Sequence, residues 1–286
     1  MFSPVLRCRR MILFLLSETK ANIIDLSFEA QLICNRILDV GQFNGKDGFD
    51  MAPEISLTVS QLASYFDHTM LRAYACRDDF VKLCKEAKTY RFRMVAINPA
   101  QVILCKELLQ GSPVRVGAAI GFPLGQNTIC TKVYESQDAI DNGSDEIDYV
   151  VNLSALKNRD WAFVEREMEA IVSVCREKRV ISKVIFENCY LEKEEQDRLC
   201  SIALRVKPDY IKTSTGFGTC GALVDDVMRM KQNVGDAVKV KAAGGIRTLD
   251  AALAMISAGA ERIGSSASVQ IVEEFAARLQ RDRGVL

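Results

Sequence analysis

Asp209-Tyr210-Ile211-Lys212-Thr213-Ser214-Thr215-Gly216-Phe217-Gly218 reads as a short apolar strand that runs directly into hydroxyls and glycines. About thirty residues later, Val238-Lys239-Val240-Lys241-Ala242-Ala243-Gly244-Gly245-Ile246-Arg247 repeats the plan. Working outward from this pair, the same alternation of short β-branched runs and longer amphipathic stretches extends over the chain from Leu57 onward. The spacing predicts strands at Phe66–Met70, Arg93–Asn98, Arg115–Gly121, Glu146–Asn152, Ile181–Asn188, Asp209–Thr215, Val238–Ala243 and Arg262–Ser266. Helical patterns lie between them. Asp78–Tyr90 is one, and Asn127–Asn142, stopped by Gly143, is another. Trp161–Lys178 is a third, with Trp161, Val164, Met168, Ile171 and Val172 on one face. Eight strands alternating with helices predict an α/β fold, a closed parallel (β/α)8 TIM barrel with an N-terminal extension. An open doubly wound sheet would gather its polar residues at one switch point. Here polar residues stand near the end of nearly every strand, as the catalytic face of a barrel requires.

The lysines carry the chemistry. An amine inside a packed strand is costly to keep charged, so burial lowers its pKa and makes it a nucleophile. Glycines after the strand leave backbone N–H groups free to meet an anion such as phosphate. Parity places Lys212 on one face with Tyr210 and Ser214, and Asp148 on one face with Glu146, Val150 and Asn152. An inward Asp148 needs a charged partner, and the lysines of the sixth and seventh strands are the candidates. Lys239 and Lys241 share a face, so parity alone does not choose between them. Lys241 stands nearer the glycine pair and is favoured for chemistry, with Lys239 deeper or at the bottom rim. Neighbouring strands about 4.8 Å apart would bring two ammonium groups to roughly 6 Å. At an effective dielectric near 20, the repulsion of about 2.8 kcal/mol would lower one amine by about two pKa units. A single lysine paired with Asp148 in a purely structural ion pair is the simpler alternative. Two inward lysines beside glycine turns point instead to imine chemistry on a phosphorylated carbonyl compound.

Composition narrows the remaining choices. The 286 residues carry 37 basic and 37 acidic side chains, so no basic excess suggests a nucleic-acid partner. One histidine, His68, and ten cysteines without a CxxC pair offer no recognisable metal set, and no cofactor motif occurs. The cysteines read as reduced, mostly buried small hydrophobes, which fits a cytoplasmic protein. Residues 1–50 differ from the rest. Arg7-Cys8-Arg9-Arg10 precedes Met11-Ile12-Leu13-Phe14-Leu15-Leu16, an apolar run shorter than the roughly 20 residues a membrane span needs. It is similar to a weak signal peptide without a clear cleavage site, or belongs to an extension with Met51 as the working start. Residues 21–40 pattern as an amphipathic helix and Gly41–Gly48 as a linker, which leaves residues 51–286 as the catalytic domain.

Several segments resemble the deoxyribose-phosphate aldolase family. They are Asp67-His68-Thr69-Met70-Leu71, Val95-Ala96-Ile97-Asn98-Pro99, Gly121-Phe122-Pro123-Leu124-Gly125, Asp145-Glu146-Ile147-Asp148, Ile211-Lys212-Thr213-Ser214-Thr215-Gly216 and Lys241-Ala242-Ala243-Gly244-Gly245-Ile246-Arg247-Thr248. The resemblance spans about residues 57–275 in order. It implies a class I, metal-free barrel aldolase that splits 2-deoxy-D-ribose 5-phosphate into glyceraldehyde 3-phosphate and acetaldehyde, with the cut placed at C3–C4. It further implies that Lys212 forms the Schiff base, that Lys241 is the ammonium lowering its pKa, and that Asp148 relays a proton. Asp67 and Thr69 would lie near the substrate, and backbone around Gly216, Gly244, Gly245 and Ser266 would meet its phosphate. A homo-oligomer, dimer or tetramer, acting on a small phosphorylated sugar and away from membranes is expected.

Three departures stand out. Ala96 occupies a place where many members have cysteine, Phe217 one where part of the family has lysine, and the chain ends in Gly-Val-Leu rather than tyrosine. Phosphate binding should therefore lean on backbone amides. A Schiff-base aldolase for a ketose phosphate or keto acid is one rival, and a barrel kept only as a phosphate sensor or assembly partner is another. Of the weaker motifs, His68 should face outside the barrel, since strand neighbours point to opposite sides. Gly121–Gly125 reads equally as an active-face loop or a simple turn, and Arg247 as a rim residue.

Overall fold

The computed structural model describes residues 57–282 and Gly284. The expectations for residues 1–50, including the extension, the amphipathic helix over 21–40 and the linker, lie outside the described residues. Eight strands form one closed parallel barrel in sequence order. They are β1 (Phe66–Met70), β2 (Met94–Ile97), β3 (Arg115–Ile120), β4 (Glu146–Val150), β5 (Ile181–Ile185), β6 (Tyr210–Lys212), β7 (Lys239–Ala243) and β8 (Arg262–Ser265). The barrel closes through β1 on β8, with Asp67 opposite Gly264. All eight predicted strands are present, each within a few residues of its expected bounds.

Around the barrel run α1 (Val59–Ala63), α2 (Arg77–Tyr90), α3 (Val102–Leu108), α4 (Ile129–Asp141), α5 (Leu153–Lys157), α6 (Trp161–Lys178), α7 (Lys193–Val206), α8 (Val224–Val234), α9 (Leu249–Ser257) and α10 (Ser268–Asp282). Local chemistry sets several of their starts. Thr128 accepts a hydrogen bond from the Thr131 N–H at α4, and Asp160 accepts one from Phe163 at α6. Asn152 was expected within the fourth strand. It instead caps α5 by accepting from the Ala155 N–H, which ends β4 at Val150. Along α6, Val164, Met168, Ile171 and Val172 are buried as their spacing requires, while Trp161 is half-buried. Burying each such side chain contributes on the order of 1.5–3 kcal/mol.

Two interiors result. The larger is the apolar layer between strands and helices, with Ile147, Tyr149, Val184, Ile211, Val240 and Ile263 fully buried beneath the helices. His68 belongs to it, as expected. Its Nε2 lies 2.9 Å from the Glu86 carboxylate on α2, outside the barrel. Burial lowers its pKa against the opposing pull of Glu86. The second interior is the barrel lumen, and its middle is polar rather than apolar.

Candidate active site

The lumen holds seven buried charged side chains. Asp67 comes from β1, Glu146 and Asp148 from β4, Lys183 from β5, Lys212 from β6, Lys241 from β7 and Arg262 from β8. Strand register brings them level. Asp148 is paired with Lys183, Lys212 with Lys241, and Lys241 with Arg262. Asp148 is the hub. Its Oδ1 lies 2.6 Å from Lys183 Nζ, and its Oδ2 lies 3.0 Å from Lys212 Nζ and 2.7 Å from Lys241 Nζ. Below it, Arg262 bridges Asp67 and Glu146, and Lys183 also reaches Glu146 at 2.6 Å.

The charge count singles out one amine. Three carboxylates face Arg262, Lys183, Lys241 and Lys212, so one cation is in excess among side chains almost wholly withdrawn from solvent. Burial of an uncompensated charge is costly, and the least costly amine to neutralise is the one with the weakest anionic surroundings. Lys183 touches two carboxylates and Lys241 touches Asp148 and Asp67, whereas Lys212 touches Asp148 alone. Burial first, and the neighbouring Lys241 ammonium second, pull Lys212 down to about 8 against the attraction of Asp148. For Lys183, burial is outweighed by Asp148 and Glu146, and its pKa is raised. Burial opposes ionisation of Asp148, yet Lys183, Lys241 and Lys212 hold it well below the usual carboxylate range. The expected cause of the Lys212 shift, like-charge repulsion, is thus present but ranks behind desolvation.

Above this layer opens a cavity of about 460 Å3 at the C-terminal ends of the strands. Lys212 and Lys241 form part of its floor, and Thr69, Ala96, Thr215 and Phe217 part of its wall. Gly216, Gly244, Gly245, Ser265 and Ser266 line one side. At Gly216, Gly244 and Gly245 φ is +88°, +87° and +75°, a region where a side chain would be strained. The two glycine turns touch, since a Cβ added at Gly216 would lie 3.6 Å from Gly244 Cα. Ser266 lies just before the start of α10, where unpaired helix N–H groups favour an anion.

The structure brings Lys212, Lys241 and Asp148 together and sets Thr69, Gly216, Gly244, Gly245 and Ser266 around the same cavity. Asp67 is the exception and corrects the expectation that it lies against the substrate. It is fully buried beneath Lys241, held by Arg262, and does not line the cavity. Lys239 proves exposed at the bottom rim, its Nζ 5.7 Å from the Tyr210 ring centroid. Lys183 was missed by sequence reading. The signal was available, because Lys183 interrupts an apolar strand as Lys212 does, but no glycine turn follows it.

Other expectations were met unevenly. Of the eight described cysteines, all are free thiols, and four rather than most are buried. The Gly121–Gly125 segment is a turn closed by the Gly125 N–H on the Gly121 carbonyl, and its Phe122 packs edge-on against Phe217 at the cavity mouth. Arg247 is exposed at that mouth. No group of three His, Cys, Asp or Glu side chains among the described residues is disposed to hold a metal ion.

A (β/α)8 barrel with one under-compensated lysine on the floor of an anion-ready cavity is the equipment of an amine-nucleophile enzyme acting on carbonyl compounds. The comparisons with known proteins narrow that class. The family model described as DeoC/LacD family aldolase matches residues 61–274, and the chain belongs to this family. It is 54% identical to the deoxyribose-phosphate aldolase of Lactobacillus acidophilus over 225 residues, covering 79% of this chain and 95% of that protein. It is 50% identical to the deoxyribose-phosphate aldolase of Thermococcus gammatolerans, covering 74% of this chain and 95% of that one. Among solved structures, the deoxyribose phosphate aldolase of Aeropyrum pernix, described as tetrameric, superposes with a TM-score of 0.72 at 32% identity. That match covers 77% of this chain and 93% of the other.

Proposed function

We propose that this protein is a class I deoxyribose-phosphate aldolase. It reversibly cleaves 2-deoxy-D-ribose 5-phosphate to D-glyceraldehyde 3-phosphate and acetaldehyde through a Schiff base on Lys212. The observation that carries the reading is Lys212 itself, a strand amine lowered to about 8 that is buried yet reaches the cavity floor.

The neutral Lys212 amine attacks C1 of the open-chain sugar, and the carbinolamine loses water to give an iminium. Acetaldehyde takes C1 and C2, so carbon counting corrects the bond expected above: C2–C3 breaks, not C3–C4. The C3 hydroxyl loses its proton, the C3–O bond becomes the carbonyl of glyceraldehyde 3-phosphate, and the C2–C3 electron pair moves into the iminium to form an enamine. Asp148, through a water, accepts that proton, and the neighbouring ammonium of Lys241 stabilises the carboxylate until it is needed again. Protonation of the enamine at C2 and hydrolysis release acetaldehyde and return the amine. The phosphate, held on the Gly216, Gly244–Gly245 and Ser266 side, supplies binding energy remote from the reacting bond, with Thr69 at the end of the neighbouring β1. Asp67 acts from below, fixing Lys241 rather than meeting the sugar.

We further assign residues 51–286 as the catalytic domain, in keeping with a family match that begins at residue 61. A homo-oligomer is proposed from the tetrameric relative. No helix among the described residues is long and apolar enough to cross a membrane. The free thiols suit a reducing compartment, and we place the activity in the cytoplasm. Borohydride reduction in the presence of acetaldehyde, followed by peptide mapping, tests the assignment of Lys212.

A further inference from the structure

Glu187 is a buried acid that the reaction leaves unused. It stands two residues past the end of β5, is 2% exposed and carries a left-handed backbone, φ +56° and ψ +60°, that residues other than glycine seldom adopt. No cation pairs with it among the described residues. Its carboxylate is spent on a single neighbour. Oε1 accepts from the Thr215 N–H at 3.0 Å, and Oε2 accepts from the Thr215 hydroxyl. The Thr215 oxygen in turn accepts from the Phe217 N–H at 3.0 Å. Gly218 closes the turn so tightly over the acid that an added Cβ would lie 3.2 Å from Glu187 Cδ. Thr215, Gly216 and Phe217 all line the cavity.

A carboxylate only accepts hydrogen bonds, so the Thr215 hydroxyl hydrogen is committed to Glu187. The Phe217 N–H takes one lone pair of the same oxygen. The turn from Thr215 to Gly218 is therefore held from beneath at its N–H, its hydroxyl and, through that hydroxyl, at Phe217. Gly216 is the residue between these anchors; it holds φ +88°, and without a Cβ it has no intrinsic preference for that shape.

We propose that Glu187 is a positioning residue for phosphate recognition: through Thr215 it fixes the Gly216 turn in the anion-binding geometry, without touching substrate. This rests on the reading of the cavity as a phosphorylated-sugar site. Replacing the acid by its amide makes the effect testable. In Glu187→Gln the amide oxygen accepts only one of the two bonds and the NH2 can meet the Thr215 oxygen only as a neutral donor to its second lone pair, so the Thr215 hydroxyl hydrogen loses its acceptor and the charge-assisted anchoring of the turn is weakened.

The experiment uses the full chain and compares 2-deoxyribose 5-phosphate with unphosphorylated 2-deoxyribose as cleavage substrates. Glu187→Gln should lower kcat/KM for the phosphorylated sugar by about ten- to a hundredfold, mainly through KM. Cleavage of the unphosphorylated sugar, and the rate of borohydride trapping with acetaldehyde, should stay within about threefold of wild type. Thr215→Val breaks the same link from the other side. The double variant should lose no more on the phosphorylated sugar than the worse single one. Equal losses on both sugars, slowed trapping, or additive losses in the double variant would overturn the proposal. If wild type itself shows no preference for the phosphorylated sugar, the phosphate-site reading fails first and takes this proposal with it. If wild type prefers it and Glu187→Gln and Thr215→Val both keep that preference, the proposal fails alone. Should Glu187→Gln not fold, Thr215→Val decides by the same two-substrate ratio.

Discussion

Replacing Lys241 by leucine removes the ammonium that faces Lys212 while keeping apolar bulk in the strand. Both amines bind the same oxygen of Asp148, at 3.0 and 2.7 Å, so their separation does not exceed the sum of those distances. At roughly 5.5 Å and an effective dielectric near 20, the repulsion relieved is about 3 kcal/mol, or about two pKa units. The charge count acts in the same direction. Without Lys241 the lumen holds three carboxylates and three cations, so Lys212 becomes a needed ammonium instead of the surplus one. Its pKa should rise from about 8 toward about 10. The reactive form is the neutral amine, present above the pKa. At pH 7 its fraction would fall from about one in ten to about one in a thousand, a hundredfold loss of rate. The assay is the pH–rate profile of cleavage, read beside the pH dependence of borohydride trapping. In Lys241→Leu both acidic limbs should move up together, and part of the lost rate should return near pH 10. An acidic limb left at its wild-type position would refute the reasoning, and burial alone would then account for the lowered amine.

Other outcomes follow from the same geometry. Lys212→Arg should be inactive at every pH in the cleavage assay, because a guanidinium stays protonated and forms no imine. Asp148→Asn should keep acetaldehyde trapping on Lys212 measurable while steady-state cleavage falls by about a hundredfold or more, since imine formation and proton relay are separate steps. Exhaustive chelation should leave the cleavage rate unchanged, and restoration of a lost rate by zinc would contradict the amine mechanism. A chain begun at Met51 should be soluble and as active as the full chain, measured by chromatography and turnover; aggregation would show that the first fifty residues serve folding or assembly.

The fold was largely legible because parallel-barrel strands are short β-branched runs whose period is independent of distant contacts. Strand ends were less so, for a physical reason. Asp209–Thr215 reads as one strand, but only Tyr210–Lys212 keeps regular pairing. Beyond it the Thr213 hydroxyl bonds to Ala243 on β7 and Thr215 turns aside to Glu187. Neither partner is near in sequence. Likewise Ile181–Asn188 reads as strand through Glu187, where the backbone has already turned left-handed to reach Thr215. Within the site, parity sufficed to aim Lys212 and Asp148 into one lumen. It did not reveal that a third lysine, Lys183, shares Asp148, nor that Asp67 is screened from the cavity by Lys241. Those facts depend on stagger between strands, which sets depth in a barrel and leaves no trace in the alternation of a single strand.

The central claim is that Lys212 is the one amine that forms the imine. Incubation of the full chain with acetaldehyde and borohydride, followed by proteolysis and mass mapping, tests it directly. The account predicts a single N-ethylated lysine at Lys212, formed in proportion to lost activity. An adduct on Lys241 or Lys183, or full inactivation with Lys212 unmodified, would contradict it.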